Sequence, residues 1–137
     1  SRTPSPAPRP SPTPEPEPTP TVSPSPSIED APFCDFDWRA GPSQVEALIR
    51  CVAERWEVPG GPDKAVAVAR CESGLNPRAV GPNDMYLGIY QQHRDYWPAR
   101  ATQYGFDGVS AFNARANIIV SIRMVHEGGW GPWSGCA

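Results

Sequence analysis

The chain has 137 residues, 12 Lys/Arg against 15 Asp/Glu, a formal net charge of −3 and 19 prolines. No run of eighteen or more apolar residues exists to span a membrane, and no basic excess exists to bind nucleic acid. Composition changes sharply near Pro32: residues 1–32 hold 12 of the prolines and no aromatic residue, whereas residues 33–137 hold every Trp, Tyr, Phe and Cys.

The first segment repeats Ser-Pro, Thr-Pro and Glu-Pro pairs. It carries too little apolar surface to offset chain entropy, so it is expected to be a disordered, locally polyproline-II spacer. Such composition also suits a ligand for a proline-recognising domain or an O-glycosylated stalk, and nothing in the residues selects between these uses. The 105 residues that follow suffice for one compact domain. The chain starts at Ser1 without a charged, apolar leader, which reads as a mature or truncated form.

Within the domain, Ser43-Gln44-Val45-Glu46 has the form of a capping box. The residues after it keep helical spacing through Val45, Leu48, Ile49, Val52, Ala53 and Trp56. Pro59-Gly60-Gly61-Pro62 ends that helix, and a second starts at Pro62 or Asp63 and runs to about Ser73. It is apolar nearly all round, which is the pattern of a buried helix. Gly74 suits a left-handed cap and Asn76-Pro77 cannot continue the helix, so Glu72 is expected where a core helix opens into a loop. A carboxyl group there has its pKa raised by burial and can act as a general acid. The competing reading is a helix-end carboxylate paired with Arg70 or Arg78.

Residues 75–92 read as irregular, with a turn at Gly81-Pro82-Asn83-Asp84 and either a short extended pair or a loop at Tyr86–Gln91. A short helix is expected around Pro98–Tyr104. Asn113 caps a last helix through about Glu127, with Ile118, Ile119, Ile122 and Val125 inward and Gly128-Gly129 as its stop. The domain is therefore predicted to be mainly α, with little or no β. Cys34, Cys51, Cys71 and Cys136 form no C-x-x-C pair, and neither His93 nor His126 stands at ligand spacing from them, so no metal and no cofactor is expected. An even count in a small domain behind a spacer fits two disulfides in a secreted or cell-wall-associated protein. Of three possible pairings, Cys34–Cys51 and Cys71–Cys136 are favoured: the first ties the start of the domain to its first helix, the second ties the Glu72 helix to the end of the chain.

Glu72-Ser73 followed by Asn76-Pro77, then Gly88-Ile89-Tyr90-Gln91, then Asn117-Ile118 on a late helix resembles the soluble lytic transglycosylases, members of the lysozyme-like superfamily related to goose-type lysozymes. The resemblance covers roughly residues 43–133. Cys71-Glu72-Ser73-Gly74 is also similar, more faintly, to the resuscitation-promoting factors. Either resemblance implies a lysozyme-like fold acting on peptidoglycan glycan strands, between N-acetylmuramic acid and N-acetylglucosamine. By that resemblance Glu72 is the catalytic acid and Ser73 the small polar residue beside it. Gly88 lets backbone approach the sugar, and Gln91 lines the cleft. Tyr90 replaces the family's Met, either as a stacking surface for a sugar or as a change in packing. The family's tyrosine near the acid has no counterpart after the Asn117 helix; Gly128–Trp133 stands there, which makes Trp130 and Trp133 candidates for its place and for sugar contact.

Trp97 suits core packing at least as well as stacking on a sugar, and for Asn117 a bond to backbone inside the fold is expected. Among possible second carboxylates, Asp84 and Asp107 read as turn residues and Asp95 as an arginine partner. A lytic transglycosylase needs no second carboxylate, because the muramic acid 6-hydroxyl is the nucleophile, so transglycosylation by Glu72 is the leading expectation. The alternatives are a hydrolytic muramidase, a non-catalytic peptidoglycan-binding module and a structural wall protein. A monomer without nucleic-acid partner completes the reading.

Overall fold

Pro42, not Ser43, opens the first helix in the computed structural model, which describes residues 33–137; the proline-rich segment expected to be disordered lies outside the described residues. Helix α1 spans Pro42–Arg55 with Pro at its first turn and Gly41 before it, and no side chain caps it. The capping box at Ser43 is therefore not formed. Proline at the first helical position has a suitable φ and no N–H to satisfy, which gives the helix its start two residues earlier than the capping box would. Glu46 is spent elsewhere: its carboxylate accepts from Arg50 Nε at 3.1 Å and Arg70 Nη2 at 3.0 Å.

Helix α2 spans Gly61–Ser73 and ends as its sequence predicts, with Gly74 in the left-handed conformation and its N–H bonded to the Arg70 carbonyl. A two-stranded antiparallel hairpin follows, β1 (Tyr86–Leu87) against β2 (Gln92–His93). Short helix α3 spans Trp97–Gln103, and α4 spans Ala114–Gly128. The Asn113 side chain caps α4 by accepting the Ala116 N–H at 3.0 Å. Single 3-10 turns stand at Trp38–Ala40, Pro82–Asp84 and Gly131–Trp133. The described domain is thus mainly α with one small hairpin.

The core is where α1 packs on α2 and α4. Val45, Leu48, Ile49 and Val52 from α1 meet Ile118, Ile119, Ile122 and Val125 from α4, all buried. Each such side chain contributes roughly 1.5–3 kcal/mol of burial free energy. From α2, Ala65, Val66, Val68 and Ala69 are buried while Ala67 and Arg70 face solvent, so the helix has a buried face and is not enclosed all round. Trp97 is also core, with its indole N–H donated to the Val109 carbonyl at 2.8 Å.

The four cysteines pair as Cys34–Cys51 and Cys71–Cys136, and no free cysteine remains. The first joins the start of the described domain to α1; the second joins the last turns of α2 to the end of the chain. Among the described residues no helix is long and apolar enough to cross a membrane, and no group of three or more His, Cys, Asp or Glu side chains is placed to hold a metal ion.

Candidate functional site

Residues 65, 69 and 72 lie on one side of a helix by the 3.6-residue period. Ala65 and Ala69 are fully buried there, so the same side leaves the core at Glu72, in the last turn of α2. Glu72 is half-buried, and burial alone raises its carboxyl pKa from the ordinary glutamate value. It takes part in none of the ion pairs among the described residues; Arg70, two positions away, pairs with Glu46 on α1. The competing reading of Glu72 as a partner of Arg70 is thereby removed. Arg78 likewise makes no ion pair. A carboxyl group that loses hydration and gains no counter-charge retains its proton more tightly, which favours its use as a proton donor.

Ser73 donates its hydroxyl to the Ala69 carbonyl at 3.2 Å, four residues back. This local bond occupies its proton and gives it no nucleophilic role.

Gly88-Ile89-Tyr90-Gln91 forms the turn between β1 and β2. Gly88 has φ +79°, and a Cβ there would stand 2.4 Å from the Ala111 carbonyl oxygen and 2.6 Å from Asn117 Nδ2. Its glycine identity therefore follows from close packing within the protein, whatever else approaches it. Asn117 is fully buried and organises this turn: Oδ1 accepts the Tyr90 N–H at 2.9 Å, while Nδ2 donates to the carbonyls of Leu87 at 3.1 Å and Ala111 at 3.0 Å. The expected internal role of Asn117 matches these bonds.

Tyr90 is a core residue. It is fully buried, and its hydroxyl donates to the Ala65 carbonyl on α2 at 2.6 Å, which ties the turn to the Glu72 helix two turns upstream of the acid. A ring with no exposed area cannot stack on a sugar, so of the two readings of the Met replacement the structure supports altered packing. Its burial also pushes the Tyr90 hydroxyl well above the usual tyrosine pKa. Trp133 is corrected in the same way: it is 5% exposed, and its indole N–H donates to the Tyr90 carbonyl at 2.7 Å.

Trp130 differs. It is half-buried, lies 6.4 Å from the Tyr90 ring and 6.0 Å from Trp133, and donates its N–H to the Pro59 carbonyl at 2.8 Å. Part of its ring faces solvent, so it keeps the ability to contact a ligand. Gln91, half-buried with φ +50°, directs its amide nitrogen to the carbonyls of Gly88 at 3.0 Å and Ala79 at 3.3 Å. The structure thus brings Gly88, Tyr90, Trp130, Trp133 and Asn117 into one cluster; Glu72 joins it through α2 and not by a direct bond.

None of the three aspartates is engaged with Glu72. Asp107 accepts the Thr102 hydroxyl at 2.6 Å, Asp84 is exposed in a 3-10 turn, and Asp95 is exposed and makes no ion pair, contrary to the expectation of an arginine partner.

Sequence reasoning missed two features. Gln92 is 1% exposed and bridges Ser121 Oγ (2.7 Å) and Arg100 Nη1 (2.8 Å), locking β2 to α4 and α3. The loop that follows Glu72 also walls two cavities, of about 230 and 590 Å³, against the Trp38–Arg39 turn. The sequence marks Asn76-Pro77 as a helix stop but carries no sign that Trp38 folds against it. Comparison with known proteins finds no matching family model, no matching curated protein and no matching solved structure.

Proposed function

We propose that this domain cleaves the glycan strands of peptidoglycan, at the β-1,4 bond between N-acetylmuramic acid and N-acetylglucosamine, with Glu72 as general acid and then base. The observation that carries the reading is Glu72 itself: a helix-end carboxyl group, partly stripped of water, with no cation beside it and a raised pKa. The order of Glu72-Ser73, Asn76-Pro77, Gly88–Gln91 and Asn117-Ile118, which resembles the soluble lytic transglycosylases, supplies the substrate. The two disulfides favour an oxidising environment, as at a cell wall.

In the first step protonated Glu72 gives its proton to the leaving glycosidic oxygen as the C1–O4 bond breaks and positive charge develops on the sugar. The Glu72 carboxylate then takes the proton of the muramic acid 6-hydroxyl as that oxygen bonds to C1. The product is a 1,6-anhydro sugar, and Glu72 ends protonated as it began. No water and no second carboxylate are consumed, and none of Asp84, Asp95 and Asp107 forms a bond to Glu72. Trp130 is the aromatic residue of the Gly88–Trp133 cluster that retains surface for sugar contact.

The test is to incubate purified peptidoglycan with the wild-type chain and with Glu72→Gln and to analyse the released fragments by mass spectrometry. Anhydro-muropeptides from the wild type alone are the expected result. Reducing ends would make the protein a hydrolytic muramidase instead. Binding to peptidoglycan without any release would overturn the enzymatic reading.

A further inference from the structure

The larger of the two cavities, about 590 Å³, lies between the Trp38–Arg39 turn, the Asn76–Arg78 loop and the Val109–Asn113 loop. Its polar lining consists of Arg39, Asn76, Arg78, Ser110 and Asn113, and no carboxylate lines it. In a domain with slightly more acids than bases, this is a local excess of positive charge. Neither Arg39 nor Arg78 belongs to an ion pair among the described residues. Arg39 instead lies over the Trp38 ring, 4.0 Å from its centroid, which holds the guanidinium at the cavity wall without neutralising it.

The neutral polar groups are biased the same way. Asn76 Oδ1 accepts the Arg78 N–H at 3.0 Å, and Asn113 Oδ1 accepts the Ala116 N–H at 3.0 Å. Ser110 Oγ accepts the Phe112 N–H at 3.0 Å. With the acceptor sides turned to backbone, the two amide NH2 groups and the serine O–H remain as donors. Trp38, Pro77, Val109 and the 37%-exposed Phe112 supply apolar walls.

From this donor-rich, cationic and partly aromatic lining we infer that the cavity binds a carboxylate-bearing peptide, with Arg39 and Arg78 gripping the carboxylates. Guanidinium groups match carboxylate geometry through paired N–H donors, and the apolar walls accept the aliphatic body between the charges. Under the proposed function, on which this assignment of source rests, the occupant is the acidic stem peptide carried by the glycan strand. The cavity begins on the same loop that follows Glu72, so it would select strands that still carry their peptides.

The probe is alanyl-D-glutamate, titrated into the full chain by calorimetry and by 1H–15N NMR, beside its diamide and inorganic phosphate. The peptide, with its two carboxylates, is expected to bind and to shift the Trp38 indole and the Asn76 and Asn113 side-chain amide signals. The diamide, and the Arg39→Ala/Arg78→Ala variant, should bind at least about tenfold more weakly. Lysines at both positions should recover part of the affinity. Both arginine side chains are exposed and form no hydrogen bond among the described residues, so an unchanged spectrum elsewhere verifies folding. Glu72→Gln should bind the peptide as wild type does, and the double arginine variant should cleave peptide-free glycan normally. A wild type that binds the peptide but cleaves nothing would refute the proposed function and leave the cavity's ligand standing. Equal affinity for peptide and diamide, tighter binding of phosphate, or shifts confined to other residues would overturn the inference.

Discussion

The Tyr90 N–H and the Asn117 Oδ1 are joined by a 2.9 Å hydrogen bond in a place where neither residue has exposed surface. Together with the two bonds from Asn117 Nδ2, it makes one side chain the support of the whole turn between β1 and β2. Asn117→Asp keeps the acceptor but turns a carboxylate toward two carbonyl oxygens. Asn117→Leu removes all three bonds. Each variant should lose at least about 3 kcal/mol of stability in urea unfolding. An unchanged midpoint for either would show that the turn does not depend on this residue.

Gly88→Ala tests the opposite side of the same contact. The added methyl meets the Ala111 carbonyl and the Asn117 amide nitrogen at distances no real Cβ tolerates, and the positive φ adds strain. The expected cost is about 2–4 kcal/mol. Combining it with Asn117→Ala should give less than the sum of the two single effects, because one of the clashing groups is gone. Strict additivity, measured by a double-mutant cycle, would contradict the contact.

The disulfides should contribute unequally. Cys71–Cys136 spans 65 residues and Cys34–Cys51 spans 17. Loop-closure entropy assigns them about 4 and about 3 kcal/mol respectively. Replacing each pair by serines and comparing denaturant midpoints checks the order. Four titratable thiols in the native, unreduced protein would refute both bridges.

The pH response of Glu72 follows from the sign of its shift. Its folded pKa is raised by burial, so the folded chain binds this proton more tightly than the unfolded chain does. The associated stability is complete below the ordinary glutamate range and is lost as pH rises through the raised value. Glu72→Gln, which cannot ionise, should therefore match the wild type near about pH 4 and exceed it near about pH 7. The gap should stay below about 1 kcal/mol because the side chain keeps part of its hydration. Thermal melts of both proteins across that range measure it; a gap that narrows with rising pH would refute the assignment. If Glu72 is the acid of the proposed reaction, glycan cleavage should fall off as pH rises through that raised value.

How far these features were legible in the residues depended on whether their cause was local. The α2 stop at Gly74, the Asn113 cap and the inward isoleucines of α4 follow from turn chemistry and periodicity, and they stand as expected. Ser43-x-x-Glu46 failed for a non-local reason: Arg70, 24 positions away, draws the glutamate across to α2, while Gly41-Pro42 starts the helix earlier. Tyr90 was open to either sugar stacking or altered packing because it replaces the Met of the resembled family, and Trp133 was a candidate for sugar contact because it stands where that family's tyrosine is missing. Only the tertiary fold shows that each spends its polar atom on backbone inside the core. Gln92 carried no local signal, since its partners Arg100 and Ser121 come from two different helices. The cavity beside Trp38 was invisible for the same reason.

The Arg70–Glu46 pair has a consequence for the ionic medium in which Glu72 works. With the nearby guanidinium committed to α1, the proton affinity of Glu72 is governed by exclusion of solvent and not by an opposite charge. Charge–charge interactions weaken as dissolved ions screen them, whereas a hydration penalty is little altered by screening. Raising ionic strength should weaken the Glu46 contacts while leaving the titration of Glu72 in place, so the acid would stay poised in brine as in dilute buffer.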